Sequence, residues 1–141
     1  MIILDTDHIS ALQYRDSPQA FHLQSRLETV PPNDVVTTII TLEEQTRSWL
    51  GLIRRYVDIE QQVAYYERFQ DLFAFFAAWY VLPFDQRCAE RFKELRRQRV
   101  RIGTMDLKIA SIALVRHATL LSRNIQDCQQ VADLQVEDWL Q

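Results

Sequence analysis

Short apolar runs, each closing on polar or acidic residues, alternate along this chain with stretches of helical periodicity, and this alternation most narrows the folds open to it. Ile2-Ile3-Leu4 meets Asp5-Thr6-Asp7 and reads as a buried strand over residues 2–4. Val35-Val36-Thr37-Thr38 is β-branched and strand-like. Tyr80-Val81-Leu82 gives a third run, stopped by Pro83, and Thr119-Leu120-Leu121-Ser122 a fourth; Val136 marks a last short one. Helices are expected between them: from an Asp7 or Thr6 cap to about Tyr14, from roughly Pro18 to Thr29, and one opening at Thr41 with Trp49, Ile53 and Tyr56 on one face. Others follow from Gln61 to Ala78, from an Asp85 cap to Arg99, and from Met105 to His117. Strands separated by helices or helix pairs join in parallel, because the crossover returns the chain to the same end of the sheet. The expected fold is a single α/β domain over residues 1–141, with a parallel central sheet of four or five strands and helices on both faces.

Composition agrees with one soluble globular core: 48% hydrophobic and 25% charged residues, with only 2 Gly and 4 Pro to interrupt long regular elements. The longest apolar stretch, around Leu72 to Leu82, falls short of the ~20 residues that a membrane span needs. The opening strand lacks the basic flank and apolar core of a secretory signal, so the cytoplasm is the expected location and no membrane contact is expected. Cys88 and Cys128 are isolated, without metal-ligand spacing, and read as core thiols in a reducing compartment. Tyr65, Tyr66, Phe69, Phe73 and Phe76 recur at helical spacing, which suits a core stripe or a dimer face. A net charge of −3 argues against a dedicated nucleic-acid binder, yet an acidic catalytic pocket would subtract from the total of a nuclease.

Sites in open α/β sheets form beyond the carboxyl ends of the strands. Asp5 follows the first strand directly, Glu43 and Glu44 lie at the start of the helix after the second, and Ser122 to Asp127 follow the fourth. Asp106 sits in the first turn of the helix after Gly103-Thr104. Two carboxylates ~4 Å apart repel by about 4 kcal/mol at an effective dielectric of ~20, so such a cluster takes up protons or a hard divalent cation. A carboxylate-held ion activates water and neutralises charge at a phosphate, which suits phosphodiester hydrolysis.

Each acid also has a purely structural use. Asp5 can cap the following helix. Thr41-x-x-Glu44 fits a capping box, and Asp106, two places after a Thr104 cap, favours the positive end of its helix. Asp127 can cap the short turn toward Val131. Both uses remain open for every one of the four.

The ordered set resembles a PIN domain over essentially the whole chain. Ile3-Leu4-Asp5-Thr6-Asp7 looks like the family's opening strand with its first metal-binding Asp, and Thr38-x-x-Thr41-x-x-Glu44 resembles the second motif. Ile102-Gly103-Thr104-Met105-Asp106-Leu107-x-Ile109-Ala110 is close to the third and is the most specific. Leu120-Leu121-Ser122-Arg123-Asn124 with Asp127-Cys128 is similar to the last, and Leu134 to Trp139 matches the closing strand and Trp. In size the chain looks like the VapC toxins of type II toxin–antitoxin systems.

The resemblance implies a metal-dependent endoribonuclease, a VapB-like antitoxin partner, an RNA substrate and a homodimer. It implies Asp5, Glu44, Asp106 and Asp127 as ligands of Mg²⁺ or Mn²⁺, with Thr6, Ser122, Arg123 and Asn124 as candidate substrate contacts. Asn124 stands where many PIN domains carry Asp; Asp127 offers the fourth acid, and which of the two fills the fourth position stays open. Register from Thr38 and Thr41 selects Glu44, with Ser48 and Gly51 on its side of the helix leaving room for close approach, and Glu43 stays open as the alternative ligand. His8, His22 and His117 sit in unremarkable contexts, and Arg87, Arg91, Lys93, Arg96, Arg97, Arg99 and Arg101 crowd the approach to Asp106. That basic run is either a solvated face or a phosphate-backbone contact. Two other function classes remain open: an inactive PIN-fold interaction module, and a phosphoacceptor of the response-regulator kind. The second fits poorly, because Lys108 lies inside a helix rather than at a strand end.

Overall fold

The computed structural model describes residues 1–141. Five strands, β1 (Ile2–Leu4), β2 (Val35–Thr38), β3 (Val81–Leu82), β4 (Thr119–Leu121) and β5 (Gln135–Glu137), form one sheet in the order β3-β2-β1-β4-β5. Every pairing is parallel, with Ile3 opposite both Val36 and Leu120, as the strand–helix alternation predicts. The chain builds β1, β2 and β3 outward in one direction, then returns past β1 to lay down β4 and β5 on its other side. The order therefore reverses between β1 and β4, the point where open α/β sheets form their ligand crevice at the strand carboxyl ends.

Seven helices flank the sheet: α1 (Thr6–Gln13), α2 (Pro18–Leu27), α3 (Ile39–Arg55), α4 (Ile59–Ala77), α5 (Gln86–Arg97), α6 (Thr104–Val115) and α7 (Ile125–Cys128). The two-residue strand period divides their packing. Ile3, Val36 and Leu120 face Ile109, Ile112 and Ala113 of α6, while Leu4 and Leu121 face Ile9, Leu12, Leu23, Leu72 and Phe76 of α1, α2 and α4. Strands buried on both faces need apolar residues at consecutive positions, which is why β1 and β4 read as unbroken runs. Cys88 and Cys128 are buried free thiols, as expected. No helix is long and apolar enough to cross a membrane.

Several helix starts differ from the sequence expectation. Asp5, not Asp7 or Thr6, caps α1, with its Oδ1 accepting the His8 backbone N–H at 3.2 Å. The third helix begins at Ile39 rather than Thr41, because Thr38 already caps it by accepting the Thr41 N–H at 3.2 Å. No Thr41–Glu44 capping box forms, since Thr41 lies inside the helix. Asp58 starts α4 two residues early, and Gly103 rather than Thr104 stands at the start of α6. Arg99 and His117, at φ 63° and 52°, leave α5 and α6 in left-handed conformation and end those helices before the predicted positions. Within α4, Leu72 and Phe76 are buried, but Tyr66 and Phe73 remain 53% and 54% exposed, so the aromatic stripe is only partly a core feature.

Candidate active site

The crevice between β1 and β4 receives acids from four separate segments. Asp5 leaves the end of β1, where its N–H extends the ladder to the Leu121 carbonyl at 3.1 Å and its side chain turns to cap α1. Thr37 braces this strand end by donating its hydroxyl to the Leu4 carbonyl at 3.0 Å. Glu44 comes from the second turn of α3, and Asp106 from the first turn of α6. The loop after β4 folds over itself: Ser122 Oγ accepts the Asn124 N–H at 3.1 Å, and Asn124 immediately precedes the short α7 that carries Asp127.

Asn124 ties two of these acids together. Its Nδ2 donates to Asp106 Oδ2 at 3.0 Å and to Asp127 Oδ2 at 2.9 Å. Burial pushes the Asp106 carboxyl above its ordinary range, the Asn124 bond pulls it back, and Asp5, Asp127 and Asp7 push it up again by charge repulsion. Glu44 is raised for the same reasons: burial first, opposed by the Thr6 hydroxyl, then reinforced by Asp106, Asp5 and Asp7. Asp7 is raised by burial and by Asp5, and Arg123 is the main basic group that opposes this. Five acids thus share one electrostatic field: Asp5, Asp7, Glu44, Asp106 and Asp127. The field reaches Cys128, whose thiol burial, helped by Asp106, pushes up to about 11.

Asp7 was not expected in this group. The only sequence signal for it was its place two residues after Asp5, which its apparent fitness as a helix cap concealed. Glu43 points elsewhere, into an ion pair with Arg47 at 2.6 Å, and lines an apolar groove with Lys108 on the outer side of α3. Gly51 leaves open space around itself, with nothing within 4 Å of a Cβ placed there, so no close approach depends on it. Of the other polar candidates, Ser122 is buried and committed to the loop, Arg123 is exposed, and Thr6 Oγ1 is buried close to Glu44 without a well-formed hydrogen bond.

His8 proves to be anything but unremarkable. It is fully buried, with Nδ1 3.0 Å from Asp5 Oδ1 and Nε2 accepting the Trp139 N–H at 3.2 Å.

The donor set around the crevice consists of oxygen atoms: carboxylates raised first by burial and then by mutual repulsion, and one orphaned buried hydroxyl. That chemistry fits a hard cation of the Mg²⁺ or Mn²⁺ type. The acids surround the crevice without forming a ready-made ligand shell, for no three His, Cys, Asp or Glu side chains stand in metal-holding geometry.

Residues 2–134 match the family profile described as the PIN domain. The chain belongs to the PIN-domain family. Ribonuclease VapC1 of Haemophilus influenzae strain R2866 is 30% identical to it, across 97% of this PIN domain and 96% of that protein. A solved structure of VapBC-1 from nontypeable Haemophilus influenzae superposes with a TM-score of 0.74 at 26% identity, covering 100% of both chains. FitAcB from Neisseria gonorrhoeae gives 0.70 at 26% identity, covering 99% of this PIN domain and 98% of that chain. The five-stranded parallel sheet with helices on both faces is the fold these relatives share with it.

Proposed function

We propose that this PIN domain is a metal-dependent endoribonuclease, the toxin of a toxin–antitoxin pair restrained by a VapB-like antitoxin. The gathering of Asp5, Glu44 and Asp106 from three distant segments at the strand-order reversal carries the reading, because their mutual repulsion is costly unless a cation offsets it. The likeness to Ribonuclease VapC1 along nearly the whole chain, and to a chain of the VapBC-1 structure, supports the activity and the partner.

Asp5, Glu44 and Asp106 would hold Mg²⁺ or Mn²⁺, with Asp127 completing the set and Asp7 adding charge. When bound, the ion supplies a water of lowered pKa and neutralises charge on the scissile phosphate. Asn124 restrains Asp106 and Asp127 so that both carboxylates stay turned to the crevice. Exposed Arg123 flanks it as a contact for a phosphate oxygen, whereas the buried Thr6 hydroxyl stands beside Glu44 and Ser122 shapes the loop. Arg97, Arg99 and Arg101 are exposed on the segment that runs into α6, where they would attract the RNA backbone despite the acidic net charge.

Cleavage of total RNA with and without chelator tests this reading, together with Asp106→Ala. The folded variant is expected to lose both cleavage and toxicity on expression, and a small antitoxin is expected to co-purify with the wild type. Chelator-resistant cleavage, or a folded Asp106→Ala that remains toxic, would count against it.

A further inference from the structure

The hydrogen bonds of His8 specify its tautomer. The Trp139 N–H points at Nε2, so that nitrogen is an acceptor, and the ring proton resides on Nδ1, facing Asp5 Oδ1 at 3.0 Å. Asp138 Oδ1 lies 3.6 Å from Nε2, too far for a good hydrogen bond, and instead accepts the Leu140 N–H at 2.9 Å. Asp5 Oδ1 therefore receives two donors from one residue, the backbone N–H and the ring Nδ1–H of His8. Asp5 Oδ2 receives none.

A helix cap needs only the first of those bonds. The second is made by a ring with no solvent exposure, and that ring is anchored at its far side to main chain 131 residues away. A carboxylate left to the cap alone can rotate; one gripped on the same oxygen by a fixed imidazole presents its other oxygen in a defined direction. Groups that orient a metal's ligands in this way commonly change metal affinity by about 10–100-fold when removed.

We propose that His8 is a positioning residue of the active site: its Nδ1–H fixes the Asp5 carboxylate with Oδ2 left for ligation, and its Nε2 links that carboxylate to the carboxyl-terminal segment at Trp139. The inference rests on the metal-dependent reading above and extends it, because it makes residues 138–140 part of the support of the site. His8 itself touches neither ion nor substrate.

Three variants separate positioning from mere packing. Asn places an amide nitrogen as many bonds from Cα as Nδ1, beside Asp5. Gln places its amide where Nε2 stands, beside Trp139, and Ala removes both contacts. Mn²⁺ binding to the full chain, followed by electron paramagnetic resonance without RNA, is expected to weaken about tenfold in His8→Ala and His8→Gln and to stay within about threefold of wild type in His8→Asn. The ring nitrogens of wild-type His8, observed by long-range ¹H–¹⁵N correlation, are expected to show the Nδ1–H form. Wild-type Mn²⁺ affinity in a folded His8→Ala, equal affinities for the Asn and Gln variants, or a proton on Nε2 would each overturn the assignment while leaving the nuclease reading intact. A wild-type chain that binds no Mn²⁺ overturns both.

Discussion

Asn124 donates to Asp106 Oδ2 at 3.0 Å, and a second bond from the same nitrogen reaches Asp127 Oδ2 at 2.9 Å. An amide does here what a carboxylate at the same position could not: it joins two acids without adding to their repulsion. Asn124→Ala is expected to release both carboxylates and lower the single-turnover cleavage rate about tenfold, the usual scale for losing a ligand-orienting contact. Asn124→Asp puts a further negative charge beside Asp106. It is expected to cost the metal-free protein about 1 kcal/mol in denaturant unfolding, and saturating Mg²⁺ should recover that loss.

Glu43 and Glu44 are neighbours in sequence with separate fates in the fold. Glu44 feels Asp106, Asp5 and Asp7, while Glu43 pairs with Arg47 on a surface helix turn. Glu44→Gln is expected to reduce kcat by about 100-fold or more if, as proposed, it removes a ligand of the activating ion. Glu43→Gln should leave kcat within about twofold and change stability by less than about 0.5 kcal/mol, because exposed i,i+4 pairs contribute little. Steady-state cleavage of one RNA by both variants checks the assignment.

The same contrast shows how far the residues could be read unaided. Sheet, helices and crevice were legible because buried parallel strands leave unbroken apolar runs, as at Ile2–Leu4 and Thr119–Leu121. Strand order was not, since nothing local in β4 says that it returns to pair with β1 rather than extending beyond β3. Helix caps fall one to three residues ahead of the positions the sequence suggests, for a related reason. Asp5 and Thr38 satisfy both strand-end and cap roles, so the sequence pattern lets the cap drift inward to Thr6 or Thr41. His8 was passed over because a single His in a helix gives no sign of its partners when one of them, Trp139, lies 131 positions away.

Burial and mutual repulsion raise the carboxyls of Asp7, Glu44 and Asp106 above their ordinary values of 3.8, 4.5 and 3.8. Raised acids hold protons in the folded chain that the unfolded chain has already released. Their contribution is therefore most favourable at a pH below those ordinary values and declines as pH rises through the raised ones. Metal-free protein should lose stability over that window, and Mg²⁺ or Mn²⁺ should restore more of it at neutral pH than in acid. Glu44→Gln removes one of the charges and is expected to gain on the order of 0.5 kcal/mol in the metal-free state after solvent screening. Its thermal shift on adding Mn²⁺ should shrink. Unfolding curves at several pH values, with and without the ion, give both readings.

Attraction of RNA to a chain of net charge −3 must be local. Within the basic segment, Arg91 is paired with Glu94 at 2.8 Å, and Arg96 is bound to Thr104 Oγ1 at 3.2 Å. Arg97, Arg99 and Arg101 are exposed and point to no side-chain partner, on the stretch that feeds directly into the first turn of α6 and Asp106. A cation that contacts a single-stranded phosphate releases a counterion and steepens the salt dependence of log K by about 0.7. Replacing Arg97 and Arg101 together by Ala should therefore flatten that slope by about 1.4 and raise KM several-fold. Because neither guanidinium reaches the acids, kcat should stay within about twofold. Arg54→Ala with Arg55→Ala, an equal loss of charge at the far end of α3, is the control and should leave the slope unchanged. Equal flattening in both pairs would mean that RNA responds to net charge alone, and the basic segment would be no more than a solvated face.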